Sequence, residues 1–337
     1  MQVEMLDVQA PEAPPTPRGG AVPGVAALPR LRVWLAAPRG FCAGVRRAIQ
    51  AVEDALEVHG APVYVRRAIV HNVAVVRALE AKGAVFVQEL EEAPEGAVVI
   101  FSAHGVPPSV AAEARRRKQL AYDAVCPLVE KVHREVSRHH KAGRHVVLIG
   151  HEAHPEIVGT LGRLPAGAAS LIHGAGDVAA VPIADDAAVG YAVQTTFSVE
   201  EASGAIAALR ERFADLAEPP SSHICYATTN RQAAIRSIAP RADAIIVAGE
   251  HFSSNACRLA EVAKAAGCPS VQLVAGAADL DWSQLPRGGT IGITAAASTP
   301  EESVSGIVRA LQARFDVSVE EVQHAEETTA FKSVAIG

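Results

Sequence analysis

Arg32-Val33-Trp34-Leu35-Ala36 is followed by Pro38-Arg39-Gly40-Phe41-Cys42-Ala43-Gly44, and then by Val45, Ile49, Val52 and Leu56. The first run is short and apolar. The second is a turn bounded by Pro and Gly, and the third recurs every three or four residues, as the buried stripe of a helix does. A strand passing into a helix through a cysteine-bearing turn is expected here. The same order recurs along the chain. Further strands are expected at residues 62–65, 98–102, 146–150, 190–194, 244–249 and 290–294, with a second helical stripe at Val73, Val76 and Leu79. Most are continuous apolar runs, as in parallel sheets covered on both faces, so the class is α/β.

Two more cysteines hold comparable places. Val125-Cys126-Pro127-Leu128 and Ile224-Cys225-Tyr226-Ala227-Thr228-Thr229-Asn230 also stand where a strand should give way to a helix. Positions 42, 126 and 225 cut the chain into near-equal thirds, and three thiolates can hold a four-iron cluster with one iron open to a substrate. Spacing alone is a weak sign, because cluster cysteines commonly come in C-x-x-C pairs and none exists here. A free cysteine is often a small buried hydrophobe. Context separates these three: a Gly-flanked turn, a following proline, and Thr228-Thr229-Asn230 downstream. Cys257 and Cys268, on or at the end of a helix expected over residues 254–267, lack such surroundings and are assigned to packing.

Polar residues gather where strands end. His104 follows residues 98–102, His151-Glu152-Ala153-His154-Pro155-Glu156 follows 146–150, and Thr195-Thr196 follows 190–194. Ser253-Ser254-Asn255 follows 244–249, Ser298 follows 290–294, and His71-Asn72 opens a helix. Ligand sites of parallel α/β sheets lie beyond the carboxyl ends of the strands, so one site fed from several sheets is expected. Any single histidine here can be a capped or satisfied residue. Together, His71, His104 and His154 with Ser253-Ser254-Asn255 at a helix start suit a diphosphate, because helix N-termini offer free N–H groups and a positive dipole end. Two other matches lead nowhere. Residues 174–179 fit G-x-G-x-x-A, but no acidic residue stands about twenty positions on. Zinc on His151 and His154 leaves two cysteine motifs unexplained.

The 337 residues, 49% hydrophobic and 20% charged, fit an ordinary soluble α/β protein of two or three domains. A net charge of −6 gives no footprint for nucleic acid or an anionic membrane, and Arg115-Arg116-Arg117-Lys118 reads as a solvated helix face. No apolar run approaches the ~20 residues that span a bilayer, and no basic-then-apolar leader opens the sequence. Five sparse cysteines are not a disulfide framework, so a reducing, cytoplasmic location is expected. Residues 1–30, with Ala13-Pro14-Pro15-Thr16-Pro17, lack a period and read as a disordered extension; the polar stretch from Gln323 reads as a loose tail.

These motifs resemble the hydroxymethylbutenyl diphosphate reductase family, from about Arg32 to about Ala310. The matching stretches are residues 38–44, 70–72, 101–105, 126–129, 150–160, 194–198, 224–232, 253–255 and Ser298, in order. The resemblance implies a [4Fe–4S] cluster on Cys42, Cys126 and Cys225, with one iron open near Thr195 and Glu156. It also implies a trefoil of three pseudo-threefold-related α/β domains with mostly parallel sheets around the cluster. Residues 31–43 complete the third domain, the domains cover 44–126, 127–221 and 222–311, and 312–337 form a tail. The implied substrate is (E)-4-hydroxy-3-methylbut-2-enyl diphosphate. It is held by His71, His104, His154, Thr195, Thr196, Ser253, Ser254, Asn255 and Ser298, with Glu156 as proton donor. Its products are isopentenyl and dimethylallyl diphosphates. With no convincing flavin or nicotinamide motif, electrons are expected from an external ferredoxin or flavodoxin, and a monomer without nucleic-acid or membrane partners is expected.

Some positions depart from the family pattern. Val125 stands where Thr is usual, Phe252 and Ala256 flank Ser-Ser-Asn where polar residues are common, and Ala296 replaces a usual Gly. The alternatives are a non-redox hydro-lyase on the same kind of cluster and a non-catalytic cluster sensor. A hydro-lyase acting on a carboxylate favours arginine clamps, for which only Arg39 and Arg231 compete.

Overall fold

The computed structural model describes residues 28–337, so the extension expected over residues 1–30 lies, except for its last three residues, outside the described part. Strand β1 (Arg30–Ala37) leads to helix α1 (Ala43–His59), which starts at Cys42. Next come β2 (Val63–Arg66), α2 (Val73–Glu80), β3 (Ala84–Val87), β4 (Val98–Phe101), α3 (Pro108–Arg116) and β5 (Leu120–Asp123). Cys126 opens α4 (Pro127–Lys141), followed by β6 (His145–Ile149), α5 (Pro155–Leu161), β7 (Ala169–Ile172), β8 (Val189–Val193), α6 (Val199–Arg212) and β9 (Leu216–Ala217). Cys225 opens α7 (Tyr226–Ile238), followed by β10 (Ala244–Ala248), α8 (Ser254–Ala265), β11 (Val271–Val274), β12 (Gly289–Ala295), α9 (Glu301–Gln312) and β13 (Asp316–Gln323).

The strands form three parallel sheets, ordered β3-β2-β4-β5, β7-β6-β8-β9 and β11-β10-β12-β1-β13. In the first two sheets the order of appearance is second, first, third, fourth. In the third sheet β1 takes the fourth place, next to β12, and β13 is added outside it. The strand running into each cysteine (β1, β5 or β9) therefore holds the same place in its sheet. The winding reverses between β2 and β4, β6 and β8, and β10 and β12, where crevices open beyond the strand ends.

Burial on both faces explains the apolar runs. Leu31 and Val33 of β1 pack with Ile246, Ile291, Ile293 and Leu311 on one side, while Trp34 and Ala36 pack with Ile235, Ile238 and Leu259 on the other. The seven strands expected from sequence are the interior ones, with ends shifted by a residue or two. The other six, β3, β5, β7, β9, β11 and β13, are sheet edges. Within the tail expected over residues 312–337, residues 316–323 form a strand. β13 pairs with β1 along eight residues from Arg30↔Asp316 to Ala37↔Gln323. The polar pattern of β13 is that of an edge exposed to water. Beyond it, His324 N–H donates to Ala37 O at 2.8 Å, and Val334 and Ile336 pack on the core around α1. Among the described residues no helix is long and apolar enough to cross a membrane.

Helix α4 lies so close to β8 that a Cβ at Gly190 would stand 2.3 Å from the buried ring of His139. Gly190→Ala is therefore expected to destabilise the protein by about 1–3 kcal/mol, read as a lowered Tm. Adding His139→Ala should recover part of that loss, as a double-mutant cycle would record.

Candidate active site

Six loops, following β2, β4, β6, β8, β10 and β12, line a single cavity of about 110 Å³ together with the starts of α1, α4 and α7. All thirteen residues singled out from sequence line it: Cys42, Cys126 and Cys225; His71, His104 and His154; Glu156, Thr195 and Thr196; Ser253, Ser254, Asn255 and Ser298. Cys257 and Cys268 do not.

Each cysteine is the N-cap of its helix. Each also makes an equivalent bond to the neighbouring loop of its own sheet. Cys42 N–H donates to Ala297 O (3.2 Å), Cys126 N–H to Ala103 O (3.0 Å) and Cys225 N–H to Thr195 O (3.0 Å). Thr228 N–H donates to Cys225 Sγ at 3.3 Å, and Thr228 Oγ1 lies 3.1 Å from that sulfur. Ala43 N–H donates to Tyr226 Oη, which ties α1 to α7. A Cβ at Gly44 would come within 2.7 Å of Cys126 Sγ, so only glycine leaves that thiol its space. Burial pushes the Cys126 thiol up to about 12 and the Cys225 thiol up to about 11. A cation binding there must displace protons, although helix N-termini favour the thiolates so formed.

Opposite the thiols stand three imidazoles. The His71 and His104 rings are 4.2 Å apart, and His154 lies 5.4 Å from His71 and 5.7 Å from His104. Burial lowers all three: His71 to about 4, His154 to about 3 and His104 well below its ordinary value. They are uncharged at neutral pH. Glu156 N–H donates to His154 Nδ1 at 3.2 Å, so the His154 proton sits on Nε2. His71 Nε2, His154 Nε2 and both side-chain polar atoms of Asn255 are buried without a hydrogen-bond partner among the described residues. Each such atom costs about 1–3 kcal/mol until a ligand pairs with it. Ser253 and His154 cap α8 and α5, so two helix N-termini adjoin these groups. No Lys or Arg lines the cavity among the described residues.

Two carboxyls stood close in sequence, and the fold separates them. Glu152 is exposed, whereas Glu156 is 2% exposed and lines the cavity. Glu156 Oε1 accepts from Thr195 N–H, and Thr195 Oγ1 donates to Oε2, both at 2.7 Å. Burial raises the Glu156 carboxyl to about 7 even though both Thr195 bonds favour its charged form. His151 does not line the cavity: its ring meets Gln194 and Arg258.

The chain matches the LytB protein family over residues 33–312. The chain belongs to the LytB family. Among its relatives, 4-hydroxy-3-methylbut-2-enyl diphosphate reductase of Hyphomonas neptunium is 53% identical over 90% of this chain and 96% of its own length. The protein named 4-hydroxy-3-methylbut-2-enyl diphosphate reductase 2 of Rhodopseudomonas palustris is 54% identical over 89% of this chain and 94% of its own. The solved structure of the Plasmodium falciparum E-1-hydroxy-2-methyl-but-2-enyl-4-diphosphate reductase superposes with a TM-score of 0.86 at 35% identity, covering 91% of this chain and 96% of that one. The resemblance read from the motifs is to this LytB reductase family.

The departures from the family pattern have local consequences. A Cβ at Gly249 would lie 2.6 Å from Ala256 Cβ and 3.2 Å from Ala296 Cβ, so both alanines fill the space beside that glycine. Phe252 is 56% exposed with its ring 5.9 Å from His71. Sequence reasoning used Gly44 and Thr228 only as context for the cysteines and gave Tyr226 no role, although all three line the cavity. It also missed Phe331, which lines the cavity from beyond the family match.

The unpartnered donors fit a polyanion. Inorganic pyrophosphate is expected to bind the LytB cavity. Asn255→Ala should weaken that binding about ten- to a hundredfold in calorimetric titration, the worth of a hydrogen bond to a charged group.

Proposed function

We propose that this protein reduces (E)-4-hydroxy-3-methylbut-2-enyl diphosphate to isopentenyl and dimethylallyl diphosphates, the last step of the non-mevalonate isoprenoid pathway. The substrate takes up two electrons and two protons. Its C–O bond breaks, a C–H bond forms at one end or the other of the allylic unit, and the hydroxyl leaves as water. One observation carries this reading: a single cavity joins three thiols, a set of uncharged hydrogen-bond donors and one buried carboxyl.

Cys42, Cys126 and Cys225 would hold the [4Fe–4S] cluster with one iron open. A Cβ at Gly44 would stand 2.7 Å from Cys126 Sγ and 3.9 Å from Cys42 Sγ, so two of these thiols approach one point across that glycine. When bound, that cluster supplies electrons and a Lewis-acidic iron for the hydroxyl. The electrons come from a separate ferredoxin or flavodoxin.

The remaining work belongs to side chains. His71, His104, His154, Ser253, Ser254, Asn255 and Ser298 bind the diphosphate through hydrogen bonds and helix ends. Thr196 Oγ1 donates to Ser254 Oγ at 3.3 Å and holds that serine in place. The apolar walls Val45, Val70, Val129 and Ala297 exclude water. Glu156 holds its proton up to about pH 7; in that form Oε2–H would donate to Thr195 Oγ1, the reverse of the bond made by the carboxylate, and the threonine would pass its own hydroxyl hydrogen to the substrate as it takes up the Glu156 proton. A carboxylate substrate for a hydro-lyase is not favoured. Arg39 is taken by Glu301 and Glu321, and Arg231 by Glu327, and neither lines the cavity.

Anaerobic purification with iron and sulfide analysis, followed by dithionite-driven turnover of the diphosphate, tests the reading. Cys42→Ser, Cys126→Ser and Cys225→Ser should each lose the stable cluster while Cys257→Ser keeps it; full iron in Cys126→Ser overturns the assignment. Glu156→Gln should keep its cluster and lose a factor of about 10²–10⁴ in turnover. The sign of the pH effect follows from the raised carboxyl. The donor form is present below about pH 7 and is lost as pH rises through it, so wild-type kcat/KM declines on the alkaline side. That limb should vanish in Glu156→Gln. Near-normal turnover by a cluster-replete Glu156→Gln protein would remove the proton-donor role.

A further inference from the structure

Past residue 312, where the family match ends, the chain runs along β1 and then crosses the cysteine-bearing loops. Glu327 meets Arg231 of α7: Nη1 donates to Oε1 at 2.8 Å and Nη2 to Oε2 at 3.3 Å. Asn230 Nδ2 also donates to Oε1, at 3.2 Å. Arg231 is 0% exposed, and its Nη2 donates to Gly40 O at 2.7 Å. One buried guanidinium thus joins the helix begun by Cys225, the loop of Cys42 and the C-terminal segment. Gly40 has φ +67°, and a Cβ there would stand 3.3 Å from Thr299 O, so the loop has little room to shift. A second tie follows. Arg47 Nε donates to Lys332 O at 2.8 Å while its Nη1 donates to Val125 O at 2.9 Å, next to Cys126. Between the ties, Phe331 lines the cavity that the three thiols line.

Glu327 is the one carboxylate within ion-pairing distance of Arg231 among the described residues. A buried cation that loses its partner must be rehydrated or move. Either event takes the donor from Gly40 O and loosens the Cys42 loop.

We propose that residues 324–337 form a strap that closes the thiol cavity. Glu327 is a positioning residue acting through Arg231 on the Cys42 loop, and Phe331 shuts the thiols off from solvent. The proposal rests on the reading of this cavity as the cluster site. Its consequence is slow access of small solutes, iron chelators among them, to whatever the thiols hold.

The test compares full-length wild type, Glu327→Gln, Glu327→Asp and Phe331→Ala, each loaded anaerobically with iron and sulfide. The rate at which a ferrous chelator bleaches the visible absorbance is measured beside kcat and KM. Maleimide labelling of Cys42, Cys126 and Cys225 is then followed in unloaded protein, with Cys257 as internal reference. Glu327→Gln and Phe331→Ala should lose iron at least about tenfold faster, in Glu327→Gln with KM changed less than twofold, and Glu327→Asp should recover most of the wild-type rate. The same two variants should label the cavity thiols at least about tenfold faster with Cys257 unchanged. Iron loss and labelling both within twofold of wild type, at unchanged Tm, overturn the strap. If Glu327→Gln fails to fold, Phe331→Ala, which removes no ion pair, decides. If wild type takes up no iron, the cluster reading fails, while labelling still decides the strap.

Discussion

Three backbone hydrogen bonds, one from each cysteine N–H, fix the relation between the thiols and the rest of the cavity. Their acceptors, Ala103, Thr195 and Ala297, sit beside or among the residues that face the thiols: His104, Thr196 and Ser298 adjoin them in sequence. A bond of this kind requires the cysteine loop and the acceptor loop to leave neighbouring strands of one sheet, as β5 and β4, β9 and β8, and β1 and β12 do. The third pair joins opposite ends of the chain. If β1 did not insert between β12 and β13, Cys42 would have no Ala297 to meet, and the ring of three would be open. The helices that follow then start at fixed points, and their N-termini converge on the cavity with no Lys or Arg lining it among the described residues.

The parts legible in sequence are those that physics constrains twice. Ala244–Ala248 is buried along its whole length, so its composition and its place between turns both mark it as a strand. Leu120–Asp123 and Asp316–Gln323 pair on one side only and face water, so their patterns resemble loops. The cavity residues were legible for a related reason: a polar group at the end of an apolar strand has few other places to be. What pattern could not give was which polar group faces inward. Glu152 and Glu156 sit in one motif, and only the start of α5 sends one to solvent and the other to Thr195. Phe331 had no motif around it, and Glu327 marks a partner, Arg231, that lies far away in sequence. Long-range ion pairs leave no local period to read.

Burial is the first cause behind the shifted protonation states of Cys126, Cys225, the three imidazoles and Glu156. Burial leaves the thiols of Cys126 and Cys225 protonated, the imidazoles uncharged and the Glu156 carboxyl neutral up to about pH 7. On the proposed reading these states change in a useful order. Thiolates form only when a cation takes their protons, so the empty site does not carry a cluster of unpaired negative charges. A diphosphate entering next brings negative charge toward the imidazoles and the carboxyl. It makes the imidazoles more basic and their hydrogen bonds stronger, and it makes Glu156 harder to ionise. Binding the substrate therefore secures the proton that the reaction consumes. A lysine or arginine in the same wall would bind the anion more tightly, but it would also draw the carboxyl toward its charged form. Neutral donors hold the anion while leaving the acid intact, and the chain has kept its arginines, Arg39 and Arg231, behind the loops, where they fix backbone instead.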